Sequence, residues 1–261
     1  GLKRTEDGIF RNGVRAWTSQ AVHAGDVIET HLVETEPSDG ILPRPVPFSV
    51  VYEDDDILVV DKPADTPIHP SIGNHENTLA NGIAWYFEQK GEPFVYRCIN
   101  RLDRDTTGLI VLAKHALSAA VLSQAMRSRE IHRTYQAFAL GETAASGTID
   151  APIARLDGSL IQRTVDFASG ERSVTHYRTL AHCSVFSHLE LNLETGRTHQ
   201  IRVHMAYIGH PLLGDTLYNK TPGTFPRQAL HSASLSFVHP ITGEPLNFHA
   251  PLPEDMQNLL T

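Results

Sequence analysis

The stretch Asn100-Arg101-Leu102-Asp103-Arg104-Asp105-Thr106-Thr107-Gly108 runs straight into Leu109-Ile110-Val111-Leu112-Ala113. A polar loop thus feeds an apolar run of the length expected for a buried strand. Two arginines, Arg101 and Arg104, flank the Asp103 carboxylate. A cationic setting favours the ionised form of a carboxylate and fixes its direction, which suits a nucleophile. Arginines also grip phosphates and stack on bases. Taken alone, the same residues fit an Arg–Asp ion pair that only braces a turn.

Three further segments bear on that choice. Val51-Tyr52-Glu53-Asp54-Asp55-Asp56-Ile57-Leu58-Val59-Val60-Asp61-Lys62-Pro63 reads as strand, acidic turn, strand. Arg133-Thr134-Tyr135 opens another apolar run. Thr195-Gly196-Arg197-Thr198-His199-Gln200-Ile201-Arg202-Val203-His204 continues through Gly209-His210-Pro211 to Gly214-Asp215. In this order the four segments resemble the RluA-type pseudouridine synthases, whose signature is His-Arg-Leu-Asp-x-x-Thr-Ser-Gly. The resemblance covers roughly residues 48–252.

That resemblance implies conversion of uridine to pseudouridine in structured RNA, rRNA or tRNA, on a flipped-out nucleotide and with no metal or organic cofactor. By position Asp103 matches the family's catalytic aspartate, which either adds to the ribose or takes a proton from it. Tyr135 matches the active-site tyrosine, able to stack on uracil and handle a proton at carbon 5. Arg202 matches the basic partner of the aspartate. Arg101 matches the arginine that fills the vacated place in the stack, a task suited to a flat guanidinium. Arg104, Arg133 and Arg197 are expected to face RNA. There is one departure: Asn100 stands where the family commonly has His, and Asn cannot titrate near neutrality. Thr107 replaces the usual Ser conservatively.

Bulk properties leave room for one large domain, or for one domain plus a small module. The chain has 261 residues, 41% of them hydrophobic, enough for a sizeable core. No apolar run approaches the roughly 20 residues that cross a bilayer, and no secretory h-region is present. Cys98 and Cys183 make no disulfide framework, which fits a reducing cytoplasm. Cys98 is expected to be a small buried residue. Net charge is −8, against a nonspecific nucleic-acid coat but compatible with a local basic cleft. Arginines do cluster, at Arg97, Arg101 and Arg104, at Arg127, Arg129 and Arg133, and at Arg197 and Arg202.

Three parts are expected along the chain. Residues 1–33, with a hairpin signal at Asn12-Gly13, resemble the second half of an αL-type RNA-binding module. The chain opens on Gly1, which points to a processed or trimmed start. Residues 34–47, rich in proline and acids, read as a linker, and residues 48–261 as the catalytic domain. Within it, Leu117, Val121 and Ala125 share one helical face, Thr134–Leu140 is a strand, and Leu189, Leu191 and Leu193 alternate as in a half-buried strand. Thr198 is placed to cap a helix ending at Gly209. Strands joined by short turns predict an α+β fold with a mixed, largely antiparallel sheet and flanking helices. The family adds a central catalytic cleft.

Two other functions fit parts of the sequence. Asn100 and the acidic net charge would suit an RNA-binding or RNA-folding protein without catalysis. The fifteen histidines raise a metallohydrolase with His199, His204 and His210 as ligands, but the first two do not share the i, i+4 spacing of helical metal pairs. A monomer with no obligatory protein partner and no membrane attachment is expected.

Overall fold

The structure, a computed structural model, describes residues 8–30, 38, 40–71, 73–183 and 185–260. Strand β1 (Ile9–Arg11) turns back into β2 (Val14–Arg15), and β3 (Ile28–Thr30) pairs with its other edge. Asn12 and Gly13 both have positive φ, 53° and 78°, the geometry a two-residue hairpin needs. The rest of the expected first module and much of the expected linker, residues 1–7 and 31–37, lie outside the described residues. Residues 40–47 lie without regular secondary structure along α1 (Leu79–Lys90). Arg44 N–H donates to the Asn81 carbonyl, the Asn81 amide donates to the Leu42 carbonyl, and Val46 is buried.

The main sheet follows from alternating apolar residues. Its strands are β4 (Ser49–Glu53), β5 (Ile57–Lys62), β6 (Thr107–Ala113), β7 (His132–Leu140), β8 (Ser146–Asp150), β11 (Val174–His182), β12 (Phe186–Leu193), β13 (Leu230–Val238) and β14 (Pro245–His249). Two short strands, β9 (Ile153–Arg155) and β10 (Arg163–Val165), form a separate hairpin. The order is β4-β5-β6-β13-β7-β12-β11-β8, with β14 on β13. The β6–β13 pair is parallel and the other pairs are antiparallel. The fold is α+β, mixed and largely antiparallel, as expected.

Strands β5 and β6 are buried on both faces. Leu58, Val60, Ile110 and Leu112 pack with Leu79, Ile83 and Phe87 of α1. Ile57, Val59, Leu109, Val111 and Ala113 pack with Leu122 of α2 (Ala116–Arg127) and with Leu235 and Phe237. This explains why 109–113 reads as an uninterrupted apolar run rather than an alternating one. Helix α1 starts at a reciprocal Thr78–Asn81 capping box and stops at Gly91 in the left-handed region, a common pair of start and stop signals.

Two helix expectations need correction. In α2 the inward face is Ser118 and Leu122, whereas Leu117 and Val121 are 45% and 39% exposed. Small residues occupy the inner face, so the large apolar ones mark a phase one position away. In α3 (Gln200–Tyr207) the N-cap is His199, not Thr198, at φ 59° and with no side-chain cap bond. The last short helix, α4 (Glu254–Gln257), closes the chain.

Candidate active site

Register on three adjacent strands brings the site together. Thr107 of β6 sits opposite His231 of β13, and Ser232 of β13 sits opposite Tyr135 of β7. The turn carrying Asp103 immediately precedes β6, so Asp103 and Tyr135 end at one mouth. The β6–β13 contact is very close: a Cβ on Gly108, whose φ is +111°, would lie 2.3 Å from the Ser232 carbonyl oxygen. Only glycine accepts that approach and that backbone angle together.

The backbone of the turn is tied at every step. The Asp103 carbonyl accepts from Thr106 N–H at 3.1 Å, and the Arg104 carbonyl accepts from Thr66 N–H and from Lys62 Nζ, the latter at 2.8 Å. The Asp105 carbonyl accepts from Arg227 Nη1 at 3.1 Å, and Gln228 donates to the Thr106 hydroxyl. Lys62 is fully buried; burial pulls its ammonium down to about 7 despite the nearby Asp105 and Asp103 carboxylates.

The Asp103 side chain meets Arg202, whose Nη1 donates to Oδ2 at 3.1 Å. Arg202 is itself fixed from behind. Its Nε and Nη2 donate to the two oxygens of the fully buried Asp215 at 2.7 and 2.9 Å. Burial lowers the Arg202 guanidinium, but the bonds and charges of Asp215 and Asp103 outweigh it and hold it above its usual range. Such a bidentate pair leaves one fork edge aimed outward. Tyr135, 4% exposed, Arg101, Leu193, Arg197 and His199 complete the pocket wall.

Next to this pocket runs a groove lined by Arg101, Arg127, Arg129, His132, Arg133 and Arg197. Arg101 and Arg197 belong to both. Arginines from three segments far apart in sequence therefore meet on one face. Arg104 does not join them: it is exposed, ion-paired with Asp65, and absent from the walls of both cavities.

A model of the RNA pseudouridylate synthase family matches residues 56–207. A Bacillus subtilis (strain 168) relative, described as an uncharacterized RNA pseudouridine synthase YjbO, is 42% identical over 250 residues, 95% of this chain and 88% of its own. The chain belongs to the RluA-type RNA pseudouridine synthases. A ribosomal large subunit pseudouridine synthase D of Vibrio cholerae is 43% identical over 90% of this chain and 76% of its own. The solved structure of human RNA pseudouridylate synthase domain containing 1 superposes with a TM-score of 0.66 at 26% identity, covering 83% of this chain and 86% of that one.

The synthase's one departure from the family signature has a structural account. Asn100 is buried; its Oδ1 accepts from Val111 N–H at 2.9 Å and its amide donates to the Leu109 carbonyl at 3.2 Å. The side chain thus pins the segment before Asp103 to β6. Cys98, next in that segment, has its thiol pushed up to about 12 by burial, the behaviour of an inert structural residue.

The sequence points to no role for Asp215, Lys62 or Tyr218, although the first two lie inside the quoted motifs, and to His199 only as a metal ligand. The histidines weighed as metal ligands do not converge. His204 is buried between the Thr175 hydroxyl and the Ala151 carbonyl, and His210 faces the Leu140 carbonyl. Among the described residues a different trio, Asp54, Asp56 and His239, does bring ligand atoms within 4.8 Å. Its Asp54 carboxylate is already engaged by Tyr52 and by the Asp56 and Ile57 amides.

Proposed function

We propose that this synthase isomerises uridine in ribosomal RNA, with Asp103 as the reacting carboxylate. The chain's likeness to proteins named for the ribosomal large subunit supports rRNA as the substrate. The observation that carries the assignment of Asp103 is its contact with an arginine locked onto a buried aspartate, in a pocket walled by Tyr135.

In the reaction the ribose–N1 bond breaks, the uracil turns, and carbon 5 bonds to the same ribose carbon. Carbon 5 loses a proton and N1 gains one, so no oxidant or group donor enters. Arg202 holds the Asp103 rotamer and balances its charge. Tyr135 stacks on the extruded base and handles the carbon-5 proton. Extrusion costs a few kcal/mol, offset by Arg101 in the stack and by phosphates on Arg133 and Arg197. Arg104 is kept as a peripheral phosphate contact, released from Asp65 when RNA arrives. Residues 1–33 contribute part of an αL-type RNA-binding module. The protein acts as a cytoplasmic monomer without an obligatory partner or cofactor; among the described residues no helix is long and apolar enough to cross a membrane.

Incubating rRNA with the protein and mapping the alkali-resistant carbodiimide adducts of pseudouridine tests this reading. New sites are expected with the native chain. An RNA-binding protein without catalysis would retain RNA and create none.

A further inference from the structure

We infer that His199 and Tyr218 form a positioning relay that orients Asp103 and ties it to the β9–β10 hairpin, an inference that rests on Asp103 being the reacting carboxylate. His199 is held in the left-handed backbone region at φ 59°, where a non-glycine residue is uncommon, and where such strain gathers at functional positions. It is the N-cap residue of α3, but its side chain makes no cap bond. Its ring is turned instead into the pocket, with Nδ1 2.7 Å from the Tyr218 hydroxyl and Nε2 3.9 Å from Asp103 Oδ2.

Hydrogen-bond counting supports one direction for the relay. A tyrosine hydroxyl has one proton to give and can accept in return. The Tyr218 hydroxyl accepts from Arg163 N–H at 2.9 Å. Among the described residues the acceptor in its reach is His199 Nδ1. We assign the hydroxyl as donor to Nδ1, which places the ring proton of a neutral histidine on Nε2, facing the Asp103 carboxylate. At 3.9 Å the two groups meet through one bridging water or a shift of about 1 Å. The charged groups around the ring are Asp103, Asp215, Arg202 and Arg163. The Arg202 guanidinium lies 5.1 Å over the Tyr218 ring. Burial lowers the His199 pKa, consistent with a neutral ring that adds no second cation beside Arg202.

The other end of the relay is the hairpin. Arg163 opens β10, and Gln162 donates to the Leu217 carbonyl at 3.2 Å, so the hairpin stem docks on residues 217 and 218. Its tip stands clear of the body, with Leu160 87% exposed. Its stem borders a second groove with Arg155, Arg163 and Arg197. RNA seated there acts on Tyr218 and, through His199, on the direction of Asp103.

The Tyr218→Phe variant keeps the ring and removes the proton that His199 accepts. At saturating RNA its single-turnover rate is expected to fall roughly ten- to a hundred-fold, with RNA Kd within about twofold of native. In 15N NMR, His199 of the native protein is expected as the Nε2–H tautomer, and the variant loses that preference. A native Nδ1–H tautomer overturns the inference without any variant. So does a folded Tyr218→Phe that converts at the native rate, or one that loses rate only through weaker RNA binding. Asp103→Asn is run in parallel: if that variant remains active, the assignment of Asp103 fails, not merely the relay.

Discussion

Asp103 touches an arginine that cannot move. Arg202 is clamped by the fully buried Asp215, so replacing Asp215 by Asn leaves a buried guanidinium without its counter-charge. Loss of about 3 kcal/mol or more is expected in denaturant unfolding, together with lower activity because Asp103 loses its fixed partner. Asn100→Ala takes the Oδ1 acceptor from the Val111 amide and one donor from the Leu109 carbonyl, which keeps the Ser232 hydroxyl at 3.4 Å; about 1–3 kcal/mol is expected to be lost. The pH dependence of its rate should match the native one, since Asn100 acts by pinning backbone and does not titrate. That Asp103, Tyr135 and Arg202 share one pocket was legible in the sequence because each sits inside a contiguous motif. The roles of Asp215 and Tyr218 were not, because each acts through another side chain that only folding brings close.

At the scale of elements, β6 and β13 approach so closely that the site's geometry hangs on one missing side chain. Gly108→Ala should cost about 3 kcal/mol or more, from overpacking plus a left-handed backbone angle, read as a lower midpoint of thermal unfolding. The strands around this point were legible from alternation and from the apolar run 109–113. The phase of α2 was not, since its inner face carries Ser118 and small alanines while Leu117 and Val121 look outward. Nor was the start of α3, where Thr198 offers a good capping hydroxyl but the chain uses His199 in the left-handed region. Local propensity lost there to the needs of the pocket.

The whole molecule carries a net charge of −8 yet gathers arginines from distant segments into one groove. RNA binding should therefore weaken steeply with salt, and Arg133→Ala should reduce the log–log slope by about 0.7–0.9, one phosphate contact. Burial lowers the pKa of His188, His199, His204 and His231. Each unfolded ring binds a proton near pH 6.5, whereas the folded one resists it. Their contribution is full above about pH 6.5 and is lost as pH falls through the folded values. Thermal melts should shift downward from pH 7 to pH 5, and an unchanged melting temperature would contradict this picture of neutral buried rings. The central claim is that Asp103 drives isomerisation of uridine in rRNA. It is tested most directly by pseudouridine mapping of rRNA treated with the native protein and with Asp103→Asn, both shown to be folded and to bind RNA. New pseudouridine with the native protein and none with the variant is the predicted result. Equal conversion by the two, or none by the native protein on rRNA, would contradict it.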